Sequence, residues 1–401
     1  MKICLVINMH RTFTGVSLQA HLLARALIDA GHEARLVCFD RMEEGETAPC
    51  LGEPFSLHKR YQLEYERIPF TPEAISAFFQ KTRGQYEIVH FFGTYNIHPQ
   101  VAALLKSFHI PVIYRPARLR LDDPLTIAES REGRQHLRNI HHSIDALIGI
   151  SEPIYQSLLS SPLGQDKSLS TVKLVNAVDT DFFAPVKDKE KRKRLKKKLG
   201  FPPQTSLVVF VGRFEPEKGA DILINCWPMV RRACPEAQLA IIGSVCTLCR
   251  KVSACDDFKE TSEANRLLTH KFSPLLEMQA GIKFMENRGN VEQYLQVADL
   301  FLFPSRQEGM PNALLEAMAC ALACVTSGIK EITDDIITSA QTGRAIESED
   351  PHEYARAIIQ LLNNPEERRE MGKKARQRMV EHFSLSKNLE RHLDLYEKLL
   401  K

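Results

Sequence analysis

Short apolar runs alternate along this chain with longer segments in which apolar residues recur every three or four positions. The short runs of the first half lie at 2–7, 34–39, 88–91, 112–114, 146–150 and 172–175. Those of the second half lie at 207–211, 239–242, 282–284, 300–303 and 323–326. Strands that alternate with helices in this way form parallel βαβ units. The pattern therefore predicts an α/β protein with doubly wound, Rossmann-like sheets.

A densely charged run interrupts this alternation, because every residue from Lys187 to Lys198 except Leu195 is charged. We place a domain boundary just before it. The predicted units are a Rossmann-like domain at 1–183, a second one at 184–384 and an amphipathic helix at 385–401 that packs back on the first domain. The two domains would face each other across a cleft. The charged run itself has two interpretations: contact with an anionic membrane surface, where each cation contributes about 1 kcal/mol, or a solvated helix face.

Composition narrows the class of protein. A formal net charge of +3 on 401 residues is too small to indicate a nucleic-acid partner. No apolar stretch reaches the roughly eighteen residues that predict a membrane span, and the run at 2–7 is too short for a signal-peptide core. Ten cysteines without a secretory signal indicate reduced thiols. We therefore expect a cytoplasmic protein, with peripheral membrane contact as the open alternative.

Two glutamates, Glu308 and Glu316, carry the strongest functional signal. They follow the predicted strand at 300–303 and lead into a predicted helix. Ligands of open α/β sheets bind at that edge, and the first turn of a helix favours anions. A retaining hydrolase would need two carboxyls about 5–5.5 Å apart, whereas eight helical residues rise about 12 Å. The spacing favours contact with two ends of an extended ligand, such as a nucleotide-sugar.

Two cations follow another predicted strand. Gly212 and Arg213 end the run at 207–211, and Lys218 comes five residues later. Glycine lets the backbone approach a ligand closely, and Arg and Lys bind phosphate oxygens. Together with a helix N-terminus near Asn312, the two cations could neutralise a diphosphate without a metal ion. We predict no set of metal ligands in this chain. The alternatives are ordinary surface charges for the cations and a helix N-cap for Asn312.

These stretches resemble the donor domain of glycosyltransferase family 4, a retaining GT-B family. The similar segments of the second half are 210–213, 218–219, 298–299, 304–305, 308–319, 328–331 and 376–383. Weaker similarity in the first half covers Gly15 and the segments 31–33, 87–90, 176–179 and 183–185. Ala321 stands where the family commonly has a glycine.

The resemblance implies a role for each matching position. Arg213 and Lys218 would bind the donor diphosphate and stabilise charge on the leaving nucleotide. Glu308 would contact the transferred sugar, and Glu316 would accept hydrogen bonds from the ribose. The implied catalytic residues are thus Glu308, Arg213 and Lys218. The other implied donor-binding positions are Gly15, Gly212, Gly309, Met310, Pro311, Asn312, Ala313 and Leu314. The implied reaction is metal-independent and needs no cofactor besides the nucleotide-sugar co-substrate.

The acceptor side departs further from the family. His90 is the nearest match to a histidine that often lies near the sugar, and packing beside a strand is the alternative for it. Where a His-Gly pair often follows the next strand, this chain has Arg115, Arg118 and Arg120. They could bind a phosphate or carboxylate of the acceptor, or form a surface loop with salt-bridged arginines.

Three cysteines, Cys246, Cys249 and Cys255, form a cluster after the run at 239–242. Cys-x-x-Cys has the spacing of metal ligands, but a fourth ligand is not evident. Ordinary reduced thiols are the alternative.

The sequence thus leads to the hypothesis of a retaining glycosyltransferase that moves a sugar from a nucleoside-diphosphate donor, UDP-linked, to a hydroxyl of a glycan or glycolipid. Synthesis of cell-surface polysaccharide, lipopolysaccharide or glycolipid is the expected setting. The alternative is a catalytically silent GT-B subunit that binds a partner or a glycan. A nucleotide-sugar epimerase is a third hypothesis. The sugar, the base and the acceptor do not follow from the sequence.

Overall fold

The computed structural model describes residues 1–9, 15–40, 63–93, 97–120, 122–243, 281–285 and 289–401. Within these ranges the chain forms two parallel β-sheets, each flanked by helices. This arrangement confirms the predicted α/β class and the doubly wound sheets.

The first sheet contains seven strands among the described residues, in the order β3-β2-β1-β4-β5-β6-β7. They are β1 Lys2–Met9, β2 Glu33–Asp40, β3 Tyr65–Pro69, β4 Ile88–Phe92, β5 Val112–Arg115, β6 Ala146–Gly149 and β7 Ser170–Lys173. The helices of this half are α1 Gly15–Asp29, α2 Pro72–Lys81, α3 Pro99–Ser107, α4 Pro124–Ile127, α5 Arg131–His141 and α6 Glu152–Ser160.

The second sheet contains six strands in the described ranges, in the order β10-β9-β8-β11-β12-β13. They are β8 Ser206–Val211, β9 Ala237–Ile242, β10 Ile282–Met285, β11 Leu300–Phe303, β12 Ala323–Ser327 and β13 Arg344–Ile346. The described helices are α7 Lys189–Lys198, α8 Ala220–Ala233, α9 Val291–Val297, α10 Asn312–Ala319, α11 Thr333–Ile336, α12 Pro351–Asn363, α13 Pro365–Arg378 and α14 Leu385–Leu399. A π-helical turn, Met379–Phe383, joins α13 to α14.

Strand order locates the ligand edge of each sheet. In the first sheet the order reverses between β1 and β4, and in the second between β8 and β11. Ligands of open α/β sheets bind outside the carboxyl ends of the strands at such a reversal. The segments that follow β8 and β11 contain the paired cations and the first glutamate of the sequence prediction. Topology therefore brings these two segments to one crevice.

The sequence pattern missed two strands, β3 and β13. Both lie at a sheet edge. In β3 only Ile68 is fully buried, and every residue of β13 is half-buried. A short strand with one covered residue or none has no alternation of apolar and polar positions, so the sequence carries no signal for it.

The C-terminal helix α14 returns to the first half of the chain, as predicted. The side-chain amide of Asn388 donates to the carbonyl of Val175 at 2.6 Å, and Leu395 and Tyr396 are buried. Tyr396 is hydrogen-bonded to His90 of β4 at 2.8 Å. The exact domain limits at 183/184 and 384/385 stay predictions.

The charged run forms helix α7, and two of its cations are structural. The ammonium of Lys196 is buried and lies 2.9 Å from Asp299 Oδ2. Arg192 donates to the carbonyls of Val297 and Ala298 and to Asp299. Burial alone would raise the pKa of Asp299, but Lys196 and Arg192 outweigh it and hold that pKa below its usual range. The other cations of this helix are exposed, so membrane contact through them stays a prediction. No helix in the described ranges is long and apolar enough to cross a bilayer.

Candidate active site

An ion pair lies at the crevice between β8 and β11. The ammonium of Lys218 is 2.7 Å from Glu308 Oε1, with 17% and 12% of the two side chains exposed. Ser305 is fully buried and donates its hydroxyl to the same carboxylate oxygen at 2.8 Å. Lys218 comes from the segment after β8, and Ser305 and Glu308 come from the segment after β11. The structure thus brings together two of the three predicted catalytic residues.

Gly219 explains how the two segments come this close. It has φ +72°, in the left-handed region, and a Cβ at this position would overlap the carbonyl oxygen of Pro304. Glycine is the residue that adopts this conformation without a steric cost. A side chain here would push apart the segments that carry Lys218 and Glu308.

Arg213, the third predicted catalytic residue, lies to one side of this pair. Its side chain is 52% exposed, and its guanidinium is 2.8 Å from Glu215 Oε1. Burial raises the pKa of Glu215, although Arg213 opposes the shift. Arg213 is thus a partly exposed cation at the carboxyl end of β8, next to Gly212.

Glu316 lies inside helix α10, one turn after its start, and is partly buried. Burial, and next the carboxylate of Glu292, raise its pKa to about 8. Without a ligand, this carboxyl therefore holds a proton at neutral pH. Hydroxyl donors of a bound molecule would favour its ionised form. Glu308 and Glu316 thus lie in different environments, the first paired with a cation and the second without one among its main electrostatic neighbours.

The segment between the two glutamates joins the halves of the molecule. Gly309 packs so tightly on the loop after β5 that a Cβ would overlap the carbonyl oxygen of Ala117. Met310, Pro311 and Leu314 are buried, and Ala313 is half-buried. Five of the predicted donor-binding positions are therefore packed within this segment.

Asn312 is the first residue of α10, and its side chain makes no capping bond, so the N-cap alternative is wrong. Its Nδ2 donates to the carbonyl of Gly15 at 3.1 Å, and its Oδ1 accepts from Asn176 at 2.8 Å and from Gln19 at 3.2 Å. A Cβ on Gly15 would lie 2.7 Å from that Nδ2. Gly15 of the first half thus lies against the start of α10 in the second half, and its contact with a donor stays a prediction.

Other bonds cross the cleft beside the ion pair. Arg118 is 3.3 Å from Glu217 Oε1, and Gln307 donates to the carbonyl of Leu119 at 3.1 Å. Asp122 shapes the Arg118 loop by accepting from the backbone amides of Ala117 and Arg118. Arg118 is therefore a salt-bridged surface arginine, which was the alternative predicted for it.

The two acceptor-side candidates, His90 and Arg115, are both buried. His90 is bonded to Tyr396 and stacks on His392, and burial holds its pKa well below the usual range. This packing favours the structural alternative for His90 over contact with an acceptor. Arg115 donates to Asn176 Oδ1 at 2.7 Å and lies over the ring of Phe92. A guanidinium in that position cannot contact an acceptor directly.

Several residues of this site were missed at the sequence level. Ser305, Glu217, Gln19 and Asn176 all bond to predicted site residues or to the backbone beside them. Ser305 and Asn176 belong to segments that resemble the family, and this resemblance could have identified them as site residues. Glu217 and Gln19 carried none, because their partners are distant in sequence. The cluster of Cys246, Cys249 and Cys255 lies outside the described residues.

The two Rossmann-like sheets face each other, and the points of strand reversal lie on the facing sides. The C-terminal helix returns to the first sheet. Together these features define the GT-B class of glycosyltransferases. Residues 191–378 match the family model of Glycosyl transferases group 1, and residues 14–167 match that of the Glycosyl transferase 4-like domain. The chain belongs to glycosyltransferase family 4.

Curated relatives of this chain are named as glycosyltransferases. One is the GDP-mannose-dependent monoacylated alpha-(1-6)-phosphatidylinositol monomannoside mannosyltransferase of Corynebacterium glutamicum, 30% identical over 263 residues, or 63% of this chain and 61% of that protein. Another is the D-inositol 3-phosphate glycosyltransferase of Corynebacterium jeikeium, 25% identical over 362 residues, or 87% of this chain and 81% of that protein. The match to the first thus spans less than two thirds of its length.

Solved structures with low sequence identity share the fold. Anabaena HepE in complex with UDP superposes with a TM-score of 0.74 at 15% identity, covering 99% of this chain and 100% of that one. WaaG, a glycosyltransferase involved in lipopolysaccharide biosynthesis, superposes with a TM-score of 0.66 at 16% identity, covering 98% and 99%.

Proposed function

We propose that this protein is a retaining, metal-independent glycosyltransferase that moves a sugar from a UDP-linked donor to a hydroxyl of a glycan or glycolipid acceptor. The observation that carries the proposal is the Lys218–Glu308 ion pair at the point of strand reversal, with Ser305 on the same carboxylate. The names of the relatives support a nucleotide-sugar donor, since one is called GDP-mannose-dependent and HepE was solved with UDP.

The ion pair suggests how a donor is received. With no ligand, each member of the pair neutralises the other. A diphosphate offers Lys218 a stronger anionic partner, and the ammonium has three donors to share. Arg213 is half-exposed and can turn its planar fork to the same phosphates. The two cations then balance the two charges of the diphosphate and stabilise the additional charge that develops on the leaving nucleotide.

Glu308 becomes available to the sugar in the same step. Its bond from Ser305 persists when Lys218 turns to the phosphate, so the carboxylate stays in place and can accept hydrogen bonds from sugar hydroxyls. Glu316, one turn into α10, would accept from the ribose hydroxyls at the other end of the donor. The backbone from Gly309 to Leu314 would line the donor between them.

A binding panel tests the donor. Thermal unfolding is measured with UDP-, GDP- and ADP-sugars, and a ligand present at 100 times its Kd adds about 2.7 kcal/mol to the unfolding free energy. The proposal expects a shift with UDP-sugars. A shift with GDP-sugars alone would correct the base, and no shift with any of them would remove the nucleotide-sugar assignment.

A transfer assay then tests the chemistry. With an α-linked donor and a panel of hydroxyl acceptors, NMR of the product should show an α-linkage, and added EDTA should not change the rate. A β-linked product would overturn retention. Donor binding without release of nucleotide under any condition would favour the silent-subunit alternative, and conversion of the donor without acceptor would favour the epimerase.

A further inference from the structure

A chain of hydrogen bonds runs from the core of the first sheet to the start of α10. Arg115, the last residue of β5, donates from Nη2 to Asn176 Oδ1 at 2.7 Å. Asn176 donates from Nδ2 to Asn312 Oδ1 at 2.8 Å. Asn312 in turn donates from Nδ2 to the carbonyl of Gly15, the first residue of α1, at 3.1 Å. We call these four residues the relay.

The direction of every bond in the relay follows from Arg115. A guanidinium is only a donor, so Asn176 must turn its oxygen to Arg115 and its amide nitrogen to Asn312. Asn312 then accepts on its oxygen and has its nitrogen left for Gly15. Gln19 supports the same orientation, since its Nε2 donates to that oxygen at 3.2 Å. The amide orientations are therefore not independent choices.

Packing alone does not explain why a cation, Arg115, is buried at this position. Its side chain is 2% exposed, and within the described part of the chain it forms no ion pair. Burial lowers its pKa to about 10. The ring of Phe92 and the nearby carboxylate of Asp122 partly offset its charge, but its burial still carries a desolvation cost that a long apolar side chain would avoid. Its contribution is the donor that orients Asn176.

The far end of the relay holds two helix N-termini together. Gly15 begins α1 and Asn312 begins α10, and each helix start carries about half a positive charge. Two such ends repel unless an anion lies near them. Since the proposed donor brings a diphosphate to this edge, a tether that holds the ends together beforehand lowers the cost of binding it.

We propose that Arg115 is a positioning residue, which acts through Asn176 and Asn312 to hold the start of α1 against the start of α10 for the donor diphosphate. This inference rests on the proposed function. It makes Arg115 and Asn176 determinants of donor affinity, although neither is expected to contact the donor.

Asn176→Asp separates positioning from stability. Aspartate forms an ion pair with Arg115, so the melting temperature should stay the same or rise. It has no amide donor, so Asn312 must turn its nitrogen to Asp and lose the bond to Gly15. We expect the Kd for UDP to rise about tenfold, equivalent to about 1.4 kcal/mol. UDP affinity within twofold of wild type in this folded variant would overturn the relay.

A pair of Arg115 variants and a double-mutant cycle complete the test. Arg115→Lys keeps a donor and should bind UDP within about threefold of wild type, while Arg115→Met should weaken binding about tenfold. In an Asn312→Ala background, Arg115→Met should have no further effect, because the relay is already broken. Additive effects would show that Arg115 acts otherwise, and the relay would be wrong.

Hydrogen exchange of the amides at 16–19 gives a readout without a ligand. Faster exchange in Arg115→Met and Asn176→Asp than in wild type supports the relay, and unchanged exchange in both contradicts it. If wild type binds none of UDP, GDP or ADP, the proposed function fails by itself, and the exchange data alone decide the relay.

Discussion

Ionisable side chains of the two sheets are in opposite states. Beside β8 and β11, Lys218 and Glu308 are paired yet still partly open to the cleft. Within β4 and β5 of the first sheet, His90 and Arg115 are buried and closed off from the cleft. A charge that remains accessible can exchange its partner for a ligand. A group that is covered can only position its neighbours. Under the proposed function, the second sheet would therefore supply the chemistry and the first the geometry.

The largest effects should come from the accessible pair. Glu308→Gln and Lys218→Ala are each expected to lower kcat a hundredfold or more, the scale of a lost preorganised charge contact. Steady-state transfer rates measure this.

Lys173→Met is the matched control for that pair. Lys173 is also a partly exposed cation between the two halves, 2.7 Å from both Glu152 and Asp335, but it ends the edge strand β7 and belongs to neither segment of the crevice. It should leave kcat within about twofold. Near-wild-type turnover in both Glu308→Gln and Lys218→Ala would break the comparison and the proposed function with it.

Ser305→Ala should reduce kcat by about tenfold or more. The hydroxyl donates to the Glu308 carboxylate, and a hydrogen bond to a charged group is worth about 1.5–3 kcal/mol. Donor affinity and kcat are measured together, with Ser348→Ala as a control, since Ser348 donates to a carboxylate of helix α12, that of Glu353, at 2.7 Å. Equal rates in the two variants would mean that Ser305 does not position Glu308.

His90→Leu should change stability and leave transfer kinetics within about twofold. It removes the partner of the buried Tyr396 hydroxyl, which costs about 1–3 kcal/mol of unfolding free energy. Denaturant unfolding and the KM for the acceptor are the measurements. A several-fold rise in that KM without loss of stability would restore His90 to the acceptor side.

Glu316→Gln should make stability less dependent on pH. With a folded pKa of about 8 against the ordinary value of 4.5, the folded protein retains a proton that the unfolded chain releases. Unfolding free energy therefore falls as pH rises from 4.5 to 8. Glutamine has no proton to release, so Glu316→Gln does not lose stability in this way. Its melting temperature should exceed that of the wild type by a few degrees at pH 8 and by less at pH 5.

The nucleotide provides the second arm of that experiment. If Glu316 accepts hydrogen bonds from the ribose, the stabilisation by UDP should be smaller in Glu316→Gln than in wild type. A melting-temperature offset that is the same at every pH would mean that Glu316 does not hold the extra proton.

Ala321→Gly should have the smallest effect. Ala321 has φ +60°, in the left-handed region where a Cβ costs about 1–2 kcal/mol. Glycine removes that strain but loses more chain entropy on folding, about 0.5–1 kcal/mol. A net gain of about 0.5 kcal/mol in unfolding free energy is expected, with kcat unchanged. A loss of stability would show that the methyl packing outweighs the strain.

Local pattern was enough for most elements of the fold. The buried strands and the long amphipathic helices appeared in the periodicity because both faces of a parallel strand, or one face of a helix, must be covered. The edge strands β3 and β13 did not, because little of either is covered. For the charged run the sequence offered membrane contact or a solvated helix face, yet Lys196 within it is buried on Asp299. The pairing depends on a residue a hundred positions away in a different element.

The sequence alone determined the alternation of strands and helices and the positions of Glu308, Glu316, Arg213 and Lys218 relative to them. These follow from periodicity and spacing, which are local properties of the chain. Tertiary structure decided that Lys218 meets Glu308, that Asn312 bonds to Gly15 instead of capping its helix, and that His90 and Arg115 are covered. Each of these contacts depends on which faces of segments distant in sequence pack together. This packing, and not the residue type, decides which side chains are buried.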